Sequence, residues 1–410
     1  MPVRANVPEA FPVDSEVLAE YRAIVDGDRR SGPRGNLLFM VSTDDLSKGR
    51  GDLYVGLGLA RGLNKAGWGV SLWPTERLTE ETPSDIDVAI VMVESFVPGL
   101  VHEGTHAIAW VRNWTEEWAA LPYLDRFSQI WCSSSESADR LGEVYDGPVH
   151  VVPLGTDVEL YRPRDIARTG EVVTTANYWG VPRGLTTALE HLARRRRVTW
   201  FGANKNYLRL DAPLDHRDSL DYFSLPWVYS AWTIVVDDLI EAAAQYGNQN
   251  SRLYDALACG ALVVTNEARG LAELGLADLP VYRDPEDLAG IVERALDDPE
   301  GTRTAVERLS ELVRSRHSYD ARAETASVHL EAAITAGPPP TRSPLLRWAT
   351  LQREALRTME TERSDWRTRF FDQQGDSDAA RRAVEEIRES RTYKAGRMVT
   401  GPIRAIRRRG

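Results

Sequence analysis

Cysteine and histidine are scarce in this sequence, and their scarcity excludes two kinds of site. Only two of the 410 residues are cysteines. Cys132 and Cys259 each lie inside an apolar segment, so we expect buried thiols rather than a disulfide framework or a cysteine-based zinc site. The scattered histidines show no metal-ligand spacing. No bound metal or other cofactor is therefore expected.

Long apolar runs are also lacking. The longest has nine residues, from Ala256 to Val264, whereas a helix that spans a bilayer needs ~20. The first residues mix proline, arginine and acids, and they lack the apolar centre of a signal peptide. We therefore expect a cytoplasmic location.

Positive charge is in deficit over the sequence as a whole but in excess near the C-terminus. The chain has 50 basic and 61 acidic residues, a formal net charge of −11, which argues against nucleic-acid binding because that function needs a basic face. Residues 388–410 instead hold eight basic residues and one acidic residue, with apolar side chains between them. This mixture suits peripheral contact with an anionic membrane surface, at the inner face of the cell membrane. The alternative is a solvated basic tail, since Gly396, Gly401 and Pro402 interrupt a helix.

Two series of short apolar runs predict an α/β fold. Continuous apolar runs between amphipathic stretches are typical of parallel strands that are covered on both faces. In the first half, strands are predicted at Leu37–Val41, Val70–Trp73, Val88–Val93, His106–Val111, Gln129–Cys132 and Val149–Val152. In the second half, strands are predicted at Val172–Thr175, Val198–Phe201, Thr233–Val236, Ala261–Thr265 and Pro280–Tyr282, and helices around 183–194, 251–259, 286–297 and 302–314.

This pattern predicts two Rossmann-like, doubly wound parallel-sheet domains with a ligand cleft between them. The predicted parts are an N-terminal extension (1–35), a first domain (36–160), a second domain (161–336), a helical extension (341–392) and a basic tail (393–410). In the helical extension, apolar residues recur at helical spacing from Leu345 to Phe370, and a second helix runs to about Thr392. This extension is a candidate surface for oligomer formation or partner binding.

The densest chemical signal is the segment Tyr246–Thr265. A loop rich in glycine and amides leads to Asn250 or Ser251 as a helix cap, then to a short helix and a buried strand. The N–H groups and the dipole at such a helix start favour a phosphate, and Arg252 adds a permanent charge. Asp255 can accept hydrogen bonds from a ribose diol. The alternative is a capped structural helix with a local Arg252–Asp255 ion pair.

Four segments resemble, in the same order, the motifs of nucleotide-sugar glycosyltransferases with the GT-B fold of two Rossmann-like domains. Asn250–Asn266 (NSRLYDALACGALVVTN) is similar to the donor-binding motif of the family 4-like and spore-coat-maturation-like branches. Val151–Pro163 is similar to their interdomain segment, Thr175–Arg183 to the first strand–loop–helix of their donor domain, and His317–Arg322 to their C-terminal helix. The resemblance covers roughly residues 36–335.

The resemblance implies roles for charged residues on the donor side. Asp255 falls where the second Glu of the family's E-x7-E pair binds the ribose. Arg183 and Arg252 fall near the basic residues that clamp the diphosphate, and they are the expected catalytic residues. Lys205 is a further basic candidate for donor binding.

The family's first Glu has no counterpart here. Its position falls on Gly247, so the carboxylate that contacts the sugar in relatives is absent. We expect Asn248, Gln249 or Asn250 to replace its hydrogen bonds, next to Ser251 at the start of the helix.

Two polar loops of the first half are expected to face the acceptor. The loop Ser42–Asp52 follows the first predicted strand and carries Asp44 and Asp45; in relatives it faces the acceptor and the reacting sugar. A second loop combines Arg112 and Asn113 with aromatic rings that suit stacking on a sugar or base. The alternatives are a mobile surface loop and ordinary aromatic packing.

Two other features have open or structural interpretations. Asp237 and Asp238 end a predicted strand, and they either line the donor cleft or cap the next segment. His317 is expected to have a structural role on its helix.

The resemblance implies a glycosyltransferase that moves a sugar from a nucleotide diphosphate-sugar to a hydroxyl group of a glycan or lipid-linked acceptor, in cell-surface polysaccharide or glycoconjugate assembly. Two alternatives stay open. A nucleotide-sugar epimerase or hydrolase of the same fold would consume the donor without an acceptor. A catalytically degenerate subunit would act as a partner or scaffold, and Gly247 in place of the first Glu is what such a site would contain.

Overall fold

The computed structural model describes residues 11–94, 96–177, 184–203, 213–353, 355, 356 and 359. The chain divides into two compact units, residues 1–350 and 351–410. Residues 344–350 of the first unit are helical, as are residues 351–353, 355, 356 and 359 of the second. The predicted helix that ends near Thr392 and the basic segment 388–410 lie outside the described residues. None of the described helices is long and apolar enough to cross a bilayer.

The first half of the larger unit is built on a six-stranded parallel sheet. Its strands are β1 Asn36–Val41, β2 Gly69–Pro74, β3 Val88–Val91, β4 His106–Val111, β5 Gln129–Cys132 and β6 Val149–Val151, in the order β2-β1-β3-β4-β5-β6. Along β1, Leu37 and Phe39 pack into one apolar cluster, and Leu38 and Met40 pack into a second cluster. Because successive residues of a strand point to opposite faces, both faces of this sheet are covered, as the continuous apolar runs predicted.

The second half is built on a five-stranded parallel sheet. Its strands are β7 Gly170–Thr174, β8 Val198–Phe201, β9 Asp215–Arg217, β10 Trp232–Val236 and β11 Leu262–Val264, in the order β11-β10-β7-β8-β9. The strand predicted at Pro280–Tyr282 is reduced to an isolated bridge between Val281 and Thr265. Strand β9 was not predicted, because its Asp-His-Arg sequence is polar, as suits a partly exposed edge strand.

Helices cover both sheets. They are α1 Ser15–Val25, α2 Gly51–Lys65, α3 Thr115–Ala119, α4 Ser135–Gly142, α5 Gly184–Ala193, α6 Leu225–Ala231, α7 Glu241–Ala244, α8 Ser251–Ala258, α9 Pro285–Asp297, α10 Pro299–Arg316 and α11 Tyr319–Thr335. The four helices predicted in the second half correspond to α5, α8, α9 and α10. Helix α1 lies in the segment expected to be an extension, and Asp14 caps it by accepting a hydrogen bond from the Val17 N–H at 3.3 Å.

Helix α11 follows the second half in sequence but packs on α2 of the first half. The helices approach closely because α2 has glycines at the contact. A Cβ at Gly58 would lie 2.2 Å from the ring of Tyr319, and one at Gly62 would lie 2.6 Å from the Tyr319 carbonyl oxygen. Nearby, Trp68 Nε1 donates a hydrogen bond to Ser327 Oγ at 2.9 Å. After the second half, the chain therefore crosses back to the first half and packs against it.

Candidate functional site

A cavity of about 690 Å³ lies between the two halves, at the carboxyl ends of both sheets. The first half contributes the loop after β1, the start of α2 and the two residues that follow β4. The second half contributes residues that follow β7, β8 and β10, the loop 248–250 and the first turn of α8. Parallel α/β sheets bind their ligands at this edge, so the cavity is the candidate site.

Helix α8 begins at the cavity wall. Asn250 Oδ1 accepts a hydrogen bond from the Arg252 N–H at 3.0 Å, which makes Asn250 the cap residue. Asn250, Ser251 and Arg252 all line the cavity. The positive end of the helix dipole therefore faces the cavity and favours an anionic group such as a phosphate.

Arg252 is held by two residues, each of which directly follows a strand. Its guanidinium pairs with the Asp237 carboxylate, which follows β10. Its Nη2 donates to the Thr175 carbonyl oxygen at 3.2 Å, and its Nε donates to Thr175 Oγ1 at 3.3 Å. Burial disfavours the cation, but Asp237, Tyr229 and Asp238 together outweigh burial, and the pKa of Arg252 is raised. Arg252 is thus a fixed cation, and its partner is Asp237 instead of the Asp255 of the alternative interpretation.

Asp237 positions Arg252 from a fully buried site. Its Oδ1 also accepts a hydrogen bond from Asn250 Nδ2 at 3.0 Å. Its Oδ2 accepts no hydrogen bond from any residue that the structure describes. Burial is the main reason that the pKa of Asp237 is raised. The adjacent Asp238 lines the cavity, and its Oδ1 lies 3.8 Å from Arg252 Nη1. Both carboxylates therefore help to hold Arg252, and Asp238 also forms part of the wall.

Asp255 lies one turn further along α8. It lines the cavity but is only 3% exposed. Its Oδ1 accepts a hydrogen bond from Thr156 Oγ1 at 2.6 Å, so it is also bonded to the segment that joins the two halves. Burial raises the pKa of Asp255 well above the ordinary carboxyl value.

Asn248 bonds the second half to the first. Its Oδ1 accepts hydrogen bonds from the hydroxyl groups of Ser133, Ser134 and Ser137 at 2.7, 2.8 and 3.1 Å. Its Nδ2 donates to Thr115 Oγ1 at 3.4 Å. Asn248 also lines the cavity. These bonds already engage its amide oxygen and one N–H group, and its expected replacement of the missing carboxylate stays a prediction. We call this set of contacts the Asn248 clamp.

The absence of the first carboxylate has a structural cause. Gly247 has a φ of +64°, in the left-handed region. A Cβ added there would lie 2.8 Å from the Arg269 carbonyl carbon and from the Gly270 nitrogen. A glutamate cannot occupy this position unless the backbone moves. The next residue but one, Gln249, lines the cavity and donates from Nε2 to the Arg269 carbonyl oxygen at 2.7 Å.

Arg112 and Asn113 line the opposite wall. Arg112 Nη2 donates to the Met92 carbonyl oxygen at 2.7 Å, and burial lowers the pKa of this guanidinium. The following residue, Trp114, has a φ of +54°, which is uncommon for a residue with a side chain. The loop after β4 is therefore held in a specific conformation at the cavity.

The loop after β1 reaches the cavity through residues other than the predicted pair. Asp44 and Asp45 are not among the lining residues, whereas Lys48 and Asp52 are. Asp45 instead caps a short turn and accepts hydrogen bonds from Ser47, which lower the pKa of Asp45. Loop composition alone could not tell which carboxylates point outward.

Two tyrosines in the cavity wall were not predicted from the sequence. Tyr54 of α2 and Tyr222 of the second half stack with ring centroids 3.7 Å apart, and both line the cavity. Tyr54 is also fixed by donating to the Leu46 carbonyl oxygen at 2.6 Å. Neither tyrosine belongs to a recognisable motif, so no local signal marked the pair.

The remaining predicted residues lie away from the cavity or outside the described chain. Arg183 and Lys205 lie outside the described residues. His317 does not line the cavity; its Nε2 donates to the Leu274 carbonyl oxygen at 2.8 Å, and its Nδ1 contacts Arg322. Burial lowers the pKa of His317 to about 4. Among the described residues, no group of three or more His, Cys, Asp or Glu side chains could hold a metal ion.

Comparison with known proteins agrees with this architecture. Residues 183–327 match the model of the family described as glycosyl transferase-like. That range contains α8 and the whole loop 247–250. No curated protein sequence matches the chain.

Several solved structures share the fold at low sequence identity. Sucrose-phosphate synthase from Thermosynechococcus elongatus has a TM-score of 0.56 at 15% identity, over 73% of this chain and 100% of that one. AviGT4, a glycosyltransferase involved in avilamycin A biosynthesis, has a TM-score of 0.52 at 15% identity, over 74% and 99%. HepE from Anabaena, in complex with UDP-glucose, has a TM-score of 0.54 at 14% identity, over 80% and 98%. The predicted α/β fold with two parallel sheets is confirmed, while the domain boundaries and the family 4-like branch stay predictions.

Proposed function

We propose that this chain, a glycosyltransferase of the GT-B fold, moves a sugar from a nucleotide diphosphate-sugar to a hydroxyl acceptor across the cavity between its two halves. The start of α8 is the observation that supports this most strongly. There a fixed arginine, a capped helix terminus and a buried carboxyl group face one cavity, inside the segment that matches the glycosyl transferase-like family.

On the donor side, the leaving group is the nucleotide diphosphate. Negative charge grows on its phosphate oxygens as the bond to the sugar breaks. Arg252 and the positive end of α8 are placed to stabilise that charge without rearrangement, which is how preorganised groups lower a barrier. Asp237 and Thr175 keep the guanidinium in place. Asp255 offers a carboxyl oxygen for the ribose.

On the acceptor side, Arg112, Asn113 and the loop after β1 form the wall that would orient the attacking hydroxyl group. The stacked Tyr54 and Tyr222 join the walls of the two halves. Enclosing the reactants in this way excludes water and limits hydrolysis of the donor. Since a cation and a helix dipole already face the leaving group, we propose that transfer needs no bound metal and continues in the presence of a chelator.

We further propose a glycan or lipid-linked acceptor at a membrane surface, in cell-surface polysaccharide or glycoconjugate assembly. The support for this finer assignment is the basic segment 388–410, in which apolar side chains alternate with cations.

The test is thermal unfolding with UDP-, GDP-, dTDP- and ADP-sugars, on the wild type, Arg252→Ala and Asp255→Ala. A ligand at about 100 times its dissociation constant stabilises the fold by roughly 2.7 kcal/mol. We expect a shift with one nucleotide class, reduced in Asp255→Ala. In transfer assays Arg252→Ala should lower kcat more than it raises KM, because its charge acts mainly in the transition state.

A matched control is Gln245→Ala, an exposed residue of the same loop region, which should behave as wild type. Absence of stabilisation by any donor would contradict the proposal and favour a noncatalytic subunit. Donor consumption at the same rate with and without acceptors would instead identify a hydrolase or an epimerase.

A further inference from the structure

One residue of the cavity wall has a buried side-chain oxygen with no partner among the residues that the structure describes. Gln249 lines the cavity and is 2% exposed. Its Nε2 donates to the Arg269 carbonyl oxygen at 2.7 Å, and this bond fixes the orientation of the amide. Its Oε1 is buried and accepts no hydrogen bond from any described residue. A buried acceptor without a donor destabilises the fold, and such a group in a binding cavity points to a ligand that supplies the donor.

The amide oxygens of the two neighbouring residues already accept hydrogen bonds from the protein. Asn248 is bonded at both ends in the Asn248 clamp. Asn250 caps α8 with its oxygen and donates to Asp237 with its nitrogen. Gly247 carries no side chain, and the adjacent backbone of Arg269 leaves no space for one. Along the loop 247–250, Gln249 is therefore the residue with an uncommitted acceptor.

We propose that Gln249 Oε1 accepts a hydrogen bond from a hydroxyl group of the donor's sugar and so selects the sugar that is transferred. This inference rests on the proposed function. A hydroxyl is the appropriate donor, because Oε1 can only accept and a sugar presents several O–H groups at fixed stereochemistry. The Arg269 carbonyl sets the amide plane, so an epimer with its hydroxyl elsewhere would leave Oε1 unpaired. Sites that hydrogen-bond a substrate hydroxyl discriminate strongly against ligands that lack it.

The experiment uses titration calorimetry to compare the affinities of the wild type and a variant for a set of donor ligands. The wild type and Gln249→Met are each titrated with the free nucleotide diphosphate, with the nucleotide-sugar that stabilises the wild type most, and with analogues of that sugar deoxygenated at one position each. Methionine keeps the length of the side chain but removes both the acceptor and the donor. Gln245→Ala is the control from outside the cavity.

For one deoxy position we expect the wild type to bind the analogue about 10-fold more weakly than the parent donor, equivalent to about 1.4 kcal/mol. Gln249→Met should bind that analogue and the parent equally, and it should bind the free nucleotide as the wild type does. Loss of affinity for the free nucleotide as well would mean that Gln249 only supports the loop, and the inference would be wrong.

A second variant separates the two ends of the amide. Gln249→Glu keeps acceptor oxygens but loses the bond to the Arg269 carbonyl. It should retain part of the preference for the parent donor, whereas Gln249→Met retains none. Equal discrimination in the wild type and Gln249→Met at every position would overturn the inference. Failure of the wild type to bind any nucleotide would contradict the proposed function itself.

Discussion

Buried charge is the main feature of the site at the residue scale. Asp237, Arg252 and Asp255 lie in one wall of the cavity region, and Asp237 and Asp255 are each at most 3% exposed. A buried charge is costly unless it is paired and hydrogen-bonded. Arg252 and Asp237 meet this condition together, whereas Asp255 has a single described hydrogen-bond partner, Thr156. The two carboxyl groups therefore respond differently to neutralisation.

The Asp255→Asn variant should be more stable than the wild type at neutral pH. A carboxyl group whose pKa is raised by folding destabilises the fold once the pH exceeds its unfolded value of about 3.9. Asparagine removes this penalty and can still accept the bond from Thr156 Oγ1. Urea unfolding at several pH values should give a stability difference that is largest at pH 7 and vanishes below about pH 4. A less stable variant at pH 7 would contradict the raised pKa.

At the element scale, the loop that leads into α8 differs from that of the family it resembles. The left-handed Gly247 and the close backbone of residues 269 and 270 place Gln249 and Asn250 at the cavity. The capped start of α8 is formed by short-range contacts that were readable in the sequence. The course of the preceding loop was not, because it depends on a contact with residues more than twenty positions away.

Gly247→Ala should destabilise the protein by about 1–3 kcal/mol, through backbone strain together with the contact against Arg269 and Gly270. The matched control is Gly27→Ala. Gly27 has a φ of +80° with nothing within 4 Å of an added Cβ, so its substitution measures the strain alone. Denaturant unfolding should show a larger loss for Gly247→Ala. Equal losses would mean that the loop adjusts freely.

At the scale of the whole molecule, the two halves are joined on two sides. On one side, the Thr156–Ser318 bridge and the packing of α11 on α2 connect them. On the other side, the Asn248 clamp bonds the second half to the segment 133–137 of the first. An opening of the cleft on the side of the Asn248 clamp would require these hydrogen bonds to break, since they bond one half directly to the other.

Asn248→Ala should favour the open form. It removes an acceptor shared by three serine hydroxyl groups, and a loss of roughly 1–3 kcal/mol is expected. Small-angle scattering should give a larger radius of gyration for this variant, and addition of donor should reverse the change. Asn64→Ala is the control, since Asn64 bonds only within the first half, to the Trp68 carbonyl oxygen. Unchanged scattering would show that the clamp does not hold the cleft closed.

A chain truncated after residue 387 should lose binding to vesicles that contain phosphatidylserine. The full chain should sediment with these vesicles at low salt and dissociate at high salt, because each cation near an anionic surface contributes about 1 kcal/mol that salt screens. Vesicles of phosphatidylcholine alone are the control. Equal sedimentation of both chains, or equal binding to neutral vesicles, would contradict a role for the basic segment.

The two parallel sheets, the buried cysteines and the capped start of α8 could all be predicted from the sequence alone. These features depend on periodicity and on residues close in sequence, so they are readable without a fold. Which partner each polar side chain takes depends instead on the tertiary fold. Arg252 pairs with Asp237, Asn248 bonds to serines 111–115 positions away, and Asp45 accepts hydrogen bonds from Ser47 and is not among the lining residues of the cavity. Periodicity reports burial, but it carries no information on which distant groups are brought within hydrogen-bonding distance.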